Sequence, residues 1–82
     1  MADETDVLVE IRADDARPIY VQIMDEIRRA IVVGGVGGDE PLPSVRELAS
    51  SLQVNPNTVS RAYRELERDG LVYVRRGRGT FV

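Results

Sequence analysis

At 82 residues the chain has room for one small domain, which by surface scaling buries about 60–65% of its unfolded surface. It contains no cysteine and no histidine, which excludes a disulfide frame, a thiolate zinc site and the commonest general base and metal ligand. Its apolar runs are far shorter than the roughly 18 residues of a membrane span, and the acidic start Ala2-Asp3-Glu4 is unlike a signal peptide, so a cytoplasmic protein is expected.

Eleven arginines against 14 acidic residues give a net charge of −3, the wrong sign for a nucleic-acid binder, but the charges are unevenly placed. Residues 1–43 carry four arginines against ten acids, and residues 44–82 carry seven against four. The second half is therefore basic, and local charge decides where a phosphate backbone can dock.

Residues 1–6 are acidic and small and are expected to fray. Val7, Val9 and Ile11 alternate within Val7-Leu8-Val9-Glu10-Ile11-Arg12, the pattern of a short strand. A polar connector leads to Pro18, which suits the first turn of a helix. That helix should reach about Val33, with Ile19, Tyr20, Ile23, Met24, Ile27, Ala30 and Ile31 on its apolar face. Residues 34–43 hold too many glycines and prolines for regular structure and read as a connector. A phosphate-cradling loop is not supported there, because no Gly-Lys-Ser/Thr follows and the neighbours are acidic.

Ser44 and Glu47 form an S-x-x-E capping box that opens a second helix, whose buried face is Val45, Leu48, Ala49 and Leu52. A short turn at Gln53-Val54 leads to Asn55, a strong N-cap residue, and Pro56, favoured at the first helical position. In the third helix Val59, Ala62, Tyr63 and Leu66 share the buried stripe, while Asn57, Arg61, Arg64 and Arg68 share the opposite one. Gly70 ends it. Two short strands, around Leu71-Val72-Tyr73-Val74-Arg75 and Thr80-Phe81-Val82, then flank the turn Arg76-Gly77-Arg78-Gly79 and make a wing with a basic tip. The expected fold is α+β: a winged helix-turn-helix with a three-helix core, a C-terminal two-stranded β-wing and a short N-terminal strand. Residues 1–16 form its acidic leading segment and residues 17–82 the DNA-binding domain.

From Pro18 onward, about four fifths of the chain, the sequence resembles the N-terminal winged helix-turn-helix domain of GntR-family bacterial transcriptional regulators. The resemblance rests on Pro18-Ile19-Tyr20-Val21-Gln22-Ile23, Leu42-Pro43-Ser44-Val45-Arg46-Glu47-Leu48-Ala49, Val54-Asn55-Pro56-Asn57-Thr58-Val59, Arg61-Ala62-Tyr63-Arg64-Glu65-Leu66-Glu67 and Gly77-Arg78-Gly79-Thr80-Phe81-Val82. Asn55-Pro56-Asn57-Thr58 with Arg61-Ala62-Tyr63 resembles the YtrA branch in particular. The resemblance implies DNA contacts from Ser44 and Arg46 at the second helix, from Asn55, Asn57 and Thr58 at the start of the third, and from Arg76 and Gly77 at the wing. Two positions depart from it: Pro56 and Ser60 stand where many members carry arginine, so those base contacts do not carry over.

Physical chemistry supports the same residues. Helix N-termini attract phosphate, Asn can pair bidentately with adenine and Arg with guanine, and a glycine-flanked arginine is thin enough for a minor groove. Arg61 and Arg64 join the set from the outward stripe, and Arg78 from the wing tip. Each has a plainer reading too. Arg61 can bridge Glu65 at i+4, Arg64 and Arg68 repel one another unless an anion lies between them, and Asn55 is first a cap.

The expected function is sequence-specific binding of double-stranded DNA, at a palindromic operator, by a homodimeric regulator, repressor or activator, with no cofactor, metal or identifiable small-molecule site. Pairing is expected because one helix reads only a few base pairs. A C-terminal region such as family members carry, or the first strand and helix, could supply it. The competing expectation is a winged-helix protein-interaction module, motivated by the acidic first half; an enzyme finds no support in the residues.

Overall fold

Helical periodicity and capping signals account for most of what the chain does. The computed structural model describes residues 10–34 and 37–82. Within them the chain forms α1 (Ile19–Val32), α2 (Val45–Leu52), α3 (Pro56–Arg68) and an antiparallel pair, β1 (Tyr73–Arg75) and β2 (Gly79–Phe81). This is the α+β winged helix-turn-helix expected from the sequence. The strand expected over 7–12 lies mostly outside the described residues, and its last three, 10–12, are not in a strand.

The centre of the domain is α3, which packs against both α1 and α2. Its stripe of Val59, Ala62, Tyr63 and Leu66 is buried, three of the four at 0% exposure, and meets Ile23 and Ile27 of α1 and Leu48 and Ala49 of α2 in one cluster. Full burial of an aliphatic side chain of this size contributes about 1.5–3 kcal/mol. Both helix starts behave as expected. Ser44 Oγ accepts from Glu47 N–H at 3.0 Å while Glu47 Oε1 accepts from Ser44 N–H at 3.0 Å, and Asn55 Oδ1 accepts from Asn57 N–H at 2.8 Å.

Both α2 and α3 end in a Schellman arrangement. Val54 N–H returns to the Ala49 carbonyl and Leu71 N–H to the Leu66 carbonyl, each at 3.0 Å. Gly70 takes the left-handed position after α3 with φ +78°, as expected, whereas after α2 the same role falls to Gln53 with φ +57°.

Three features differ from the sequence expectation. Ile19, placed on the apolar face, is 40% exposed, because the first turn of α1 lies at the open edge of the core. Gln22 is polar yet only 2% exposed. Its amide is paired with backbone: Nε2 donates to the Arg12 and Arg17 carbonyls at 3.2 and 3.0 Å, and Oε1 accepts from Arg12 N–H at 2.8 Å. That clamp holds the segment ahead of α1, which Arg17 reinforces through Asp15 at 2.8 Å and through Asp25. The Arg17 hydrogen bond holds the Asp15 carboxyl down to about 2.

The connector after α1 is also more ordered than its breakers suggest. Asp39 N–H donates to the Val82 carbonyl (2.7 Å), Val82 N–H to Glu40 (2.9 Å) and Leu42 N–H to Thr80 (2.8 Å), so Pro41 lies opposite Phe81 as a third, short rung beside β2. Pro41 has no N–H to give, and its neighbours supply the donors. Leu42 is thereby drawn into the core at 6% exposure, where it joins Val72, at 4%.

Candidate nucleic-acid interface

The first turn of α3 is where the candidate residues converge. Asn55, Asn57, Thr58, Arg61 and Arg64 line one open concavity, together with Tyr20 from α1. With Asn55 Oδ1 occupied by the cap, its amide nitrogen is the free end, able to donate but not to accept. Asn57 is exposed two positions on, with Thr58 half-buried beside it. Arg61 does not bridge Glu65. Its guanidinium instead lies over the Tyr20 ring, Cζ 3.9 Å from the ring centroid, and Nη2 donates to the Tyr20 hydroxyl at 3.2 Å.

The other candidates form two further patches outside that concavity. Ser44 and Arg46 are exposed at the start of α2; because Ser44 Oγ accepts from Glu47, its own hydroxyl proton remains available to a phosphate. This patch is tied to α3 by Tyr63, whose buried hydroxyl donates to the Pro43 carbonyl at 2.7 Å. Burial, and secondarily the negative charge of Glu47, push that phenol well above its ordinary value and keep it a donor.

Arg76, Gly77 and Arg78 form the tip of the wing. Arg78 N–H donates to the Arg75 carbonyl at 2.9 Å, and Gly77 holds the third position of that turn with φ +75°, where a side chain would be strained. At the root of the wing Tyr73 and Phe81 face each other across the strands, stacked at 5.7 Å between ring centroids. Tyr73 also donates its hydroxyl to Asp39 Oδ1 at 2.6 Å, a bond that raises the phenol's pKa.

Among the described residues the arginines paired with a carboxylate all lie in the first half of the chain: Arg17 and Arg28 are matched with Asp15, Asp25 and Asp69, while Arg12 and Arg29 have no such partner. None of the seven arginines of residues 44–82 has a carboxylate within salt-bridge distance among those residues. Arg75, exposed at the end of β1, belongs to this unpaired set and was not among the sequence candidates, although it adjoins Arg76 in a visible cluster. Tyr20 was read as core and is half-buried, with its hydroxyl at the concavity. Nothing local in the sequence marks it, since its partner is 41 residues away.

A short helix packed across a second one whose first turn is polar and exposed, with an arginine-tipped hairpin beside them, defines the winged helix-turn-helix class. Residues 19–82 match the family model described as bacterial regulatory proteins, gntR family. The chain belongs to that family. It is 44% identical over 75 residues to the HTH-type transcriptional repressor YtrA of Bacillus subtilis, covering 92% of this chain and 58% of that protein, in line with the branch indicated by Asn55-Pro56-Asn57-Thr58.

Among solved structures, YtrA from Sulfolobus acidocaldarius, a GntR-family transcription factor, superposes with a TM-score of 0.86 at 40% identity over 90% of this chain and 78% of that one. The AraR DNA-binding domain in complex with operator ORX1 superposes with a TM-score of 0.80 at 30% identity, over 94% and 96% of the two chains. The chain spans little more than half the length of two Bacillus subtilis regulators it matches, 58% and 55%, and 27% of a third, the repressor NagR.

Proposed function

We propose that this chain is the operator-binding unit of a transcriptional regulator, acting in the cytoplasm as a repressor and not as an enzyme. The observation that carries the reading is the polar first turn of α3, set beside seven arginines with no carboxylate partner among the described residues. The AraR domain, of nearly the same extent, is an operator-bound example of the fold.

In this reading α3 enters the major groove by its N-terminal end, where Asn57 and Thr58 meet base edges and Arg61 stands one turn behind them. Ser44, Arg46, Asn55 and Arg64 hold phosphates on either side, and Arg76 and Arg78, carried by the Gly77 turn, enter or border the minor groove. Two copies on a palindromic site supply the half-sites that one helix cannot read alone. Residues 17–82 are the docking domain, and residues 1–16 are its acidic flank.

Fluorescence anisotropy with a palindromic duplex tests the reading. With four or so phosphate-facing arginines per copy, affinity per copy should fall roughly 10²- to 10³-fold between about 50 and 300 mM salt, through counterion release. Absent or salt-independent binding would refute it.

A further inference from the structure

We propose that Tyr20 is a positioning residue for Arg61, fixing the guanidinium at the reading turn before DNA arrives; the inference rests on the DNA-binding function proposed above. An exposed arginine on a helix ordinarily samples many rotamers, or pairs with a carboxylate four residues on. Arg61 does neither here, although Glu65 stands at i+4. It reaches across to α1, where two interactions of different geometry act on one group. The ring face of Tyr20 lies 3.9 Å from Cζ, and the hydroxyl of the same residue accepts from Nη2 at 3.2 Å. Stacking alone fixes the plane of a guanidinium and leaves it free to turn; the hydroxyl contact fixes the turn as well.

The chemistry left over is specific. A guanidinium carries five N–H donors, and Tyr20 takes one. The remaining donors can address a two-acceptor partner such as a guanine edge or a phosphate. Tyr20 is itself held, being half-buried in the turn of α1 that packs beside Ile23 and the core. The first turn of α1 thus becomes part of the reading surface without having to touch DNA. Its contribution is to remove the ordering cost of a long side chain, about 3- to 10-fold in affinity for one immobilised arginine.

The test uses the full chain and a duplex enriched by the wild-type protein from a randomised pool, with binding measured for wild type, Tyr20→Leu, Tyr20→Phe, Arg61→Ala and the Tyr20→Leu/Arg61→Ala double variant. Urea unfolding of each variant confirms that binding is compared between folded proteins. The expected result is a roughly 3- to 10-fold loss for Tyr20→Leu, a smaller loss for Tyr20→Phe, which keeps the ring, and no further loss when Tyr20→Leu is added to Arg61→Ala. A purely structural tyrosine, or one that contacts DNA directly, would weaken both backgrounds equally. That additive outcome overturns the proposal while leaving DNA binding intact. Failure to enrich any duplex overturns the DNA-binding function and this inference with it.

Discussion

Replacing Tyr63 by Phe removes one oxygen from the junction of α2 and α3 and probes whether that oxygen does what its geometry implies. Tyr63 is 5% exposed, and its hydroxyl donates to the Pro43 carbonyl at 2.7 Å. The ring, and so the packing, survives in the variant. What goes is a neutral hydrogen bond of about 0.5–1.5 kcal/mol net, and a half-buried carbonyl is left behind, which brings the loss to about 1–2 kcal/mol. In a domain of this size that is a fall in Tm of roughly 5–15 °C.

The dependence on pH is more diagnostic than the loss itself. Burial, and then Glu47, raise the Tyr63 phenol above its ordinary 10.0. A group raised in the folded state gives its full contribution below the unfolded value and loses it as pH climbs toward the folded one, because the unfolded chain ionises first. Wild type should therefore lose about 1.4 kcal/mol from this residue by pH 11, while phenylalanine has nothing to ionise. Tyr20 and Tyr73 are present in both proteins and cancel in the difference. Urea unfolding followed by circular dichroism, from about pH 8 to pH 11, should show the wild-type advantage closing and nearly vanishing. A gap that stays constant across that range would refute the assignment of Tyr63 as a buried, neutral donor.

Asn55→Asp keeps an acceptor for Asn57 N–H, so thermal stability should hold while DNA affinity falls through phosphate repulsion. Asn55→Ala should cost about 1 kcal/mol of stability as well; equal stability losses in the two variants would show that Asn55 is not acting as a cap. Arg64→Ala and Arg78→Ala should each reduce the slope of log affinity against log salt by about 1, and an unchanged slope would remove that residue from the interface. The Asp15 carboxyl, held down to about 2 by Arg17, contributes stability that is present above its ordinary 3.8 and is lost as pH falls through about 2. Asp15→Asn should accordingly flatten the acid limb of the stability curve, and superimposable limbs would show that the Asp15–Arg17 contact does not form in solution.

What the sequence disclosed was local. The capping box of Ser44 and Glu47, the Asn55-Pro56 start and the four-residue stripe of α3 depend on residues within one or two turns of each other, and each appears where its spacing puts it. What it concealed was every contact that crosses the fold. Arg61 was set against Glu65 because an i+4 rule sees only one helix; the tyrosine that holds it is in α1. Gln22 on an otherwise apolar face gave no sign that it would be buried, since its partners belong to a segment whose path no periodicity encodes. Pro41 was correctly a breaker, yet the donors on either side of it pair with the wing. The candidate site was legible as residue types and as three basic patches, but not as an arrangement.

That arrangement is set by long-range polar contacts. Tyr63 joins the start of α2, and with it Ser44 and Arg46, to the reading helix. Tyr73 bonds to Asp39, and β2 pairs with the connector, so the Arg76-Gly77-Arg78 tip is fixed to the chain that leads into α2. Tyr20 holds Arg61 at the first turns of α3. Each of the three tyrosines links segments from 20 to 41 residues apart in the chain, and each ends beside a different patch. A duplex presents its phosphates and base edges at fixed separations, so affinity depends on the spacing of the patches as much as on their charge. Removing one tyrosine hydroxyl deletes no arginine and loosens only how the patches are held. Its effect on binding should therefore appear as lost discrimination between sequences at a nearly unchanged salt dependence, the opposite of what removing an arginine does.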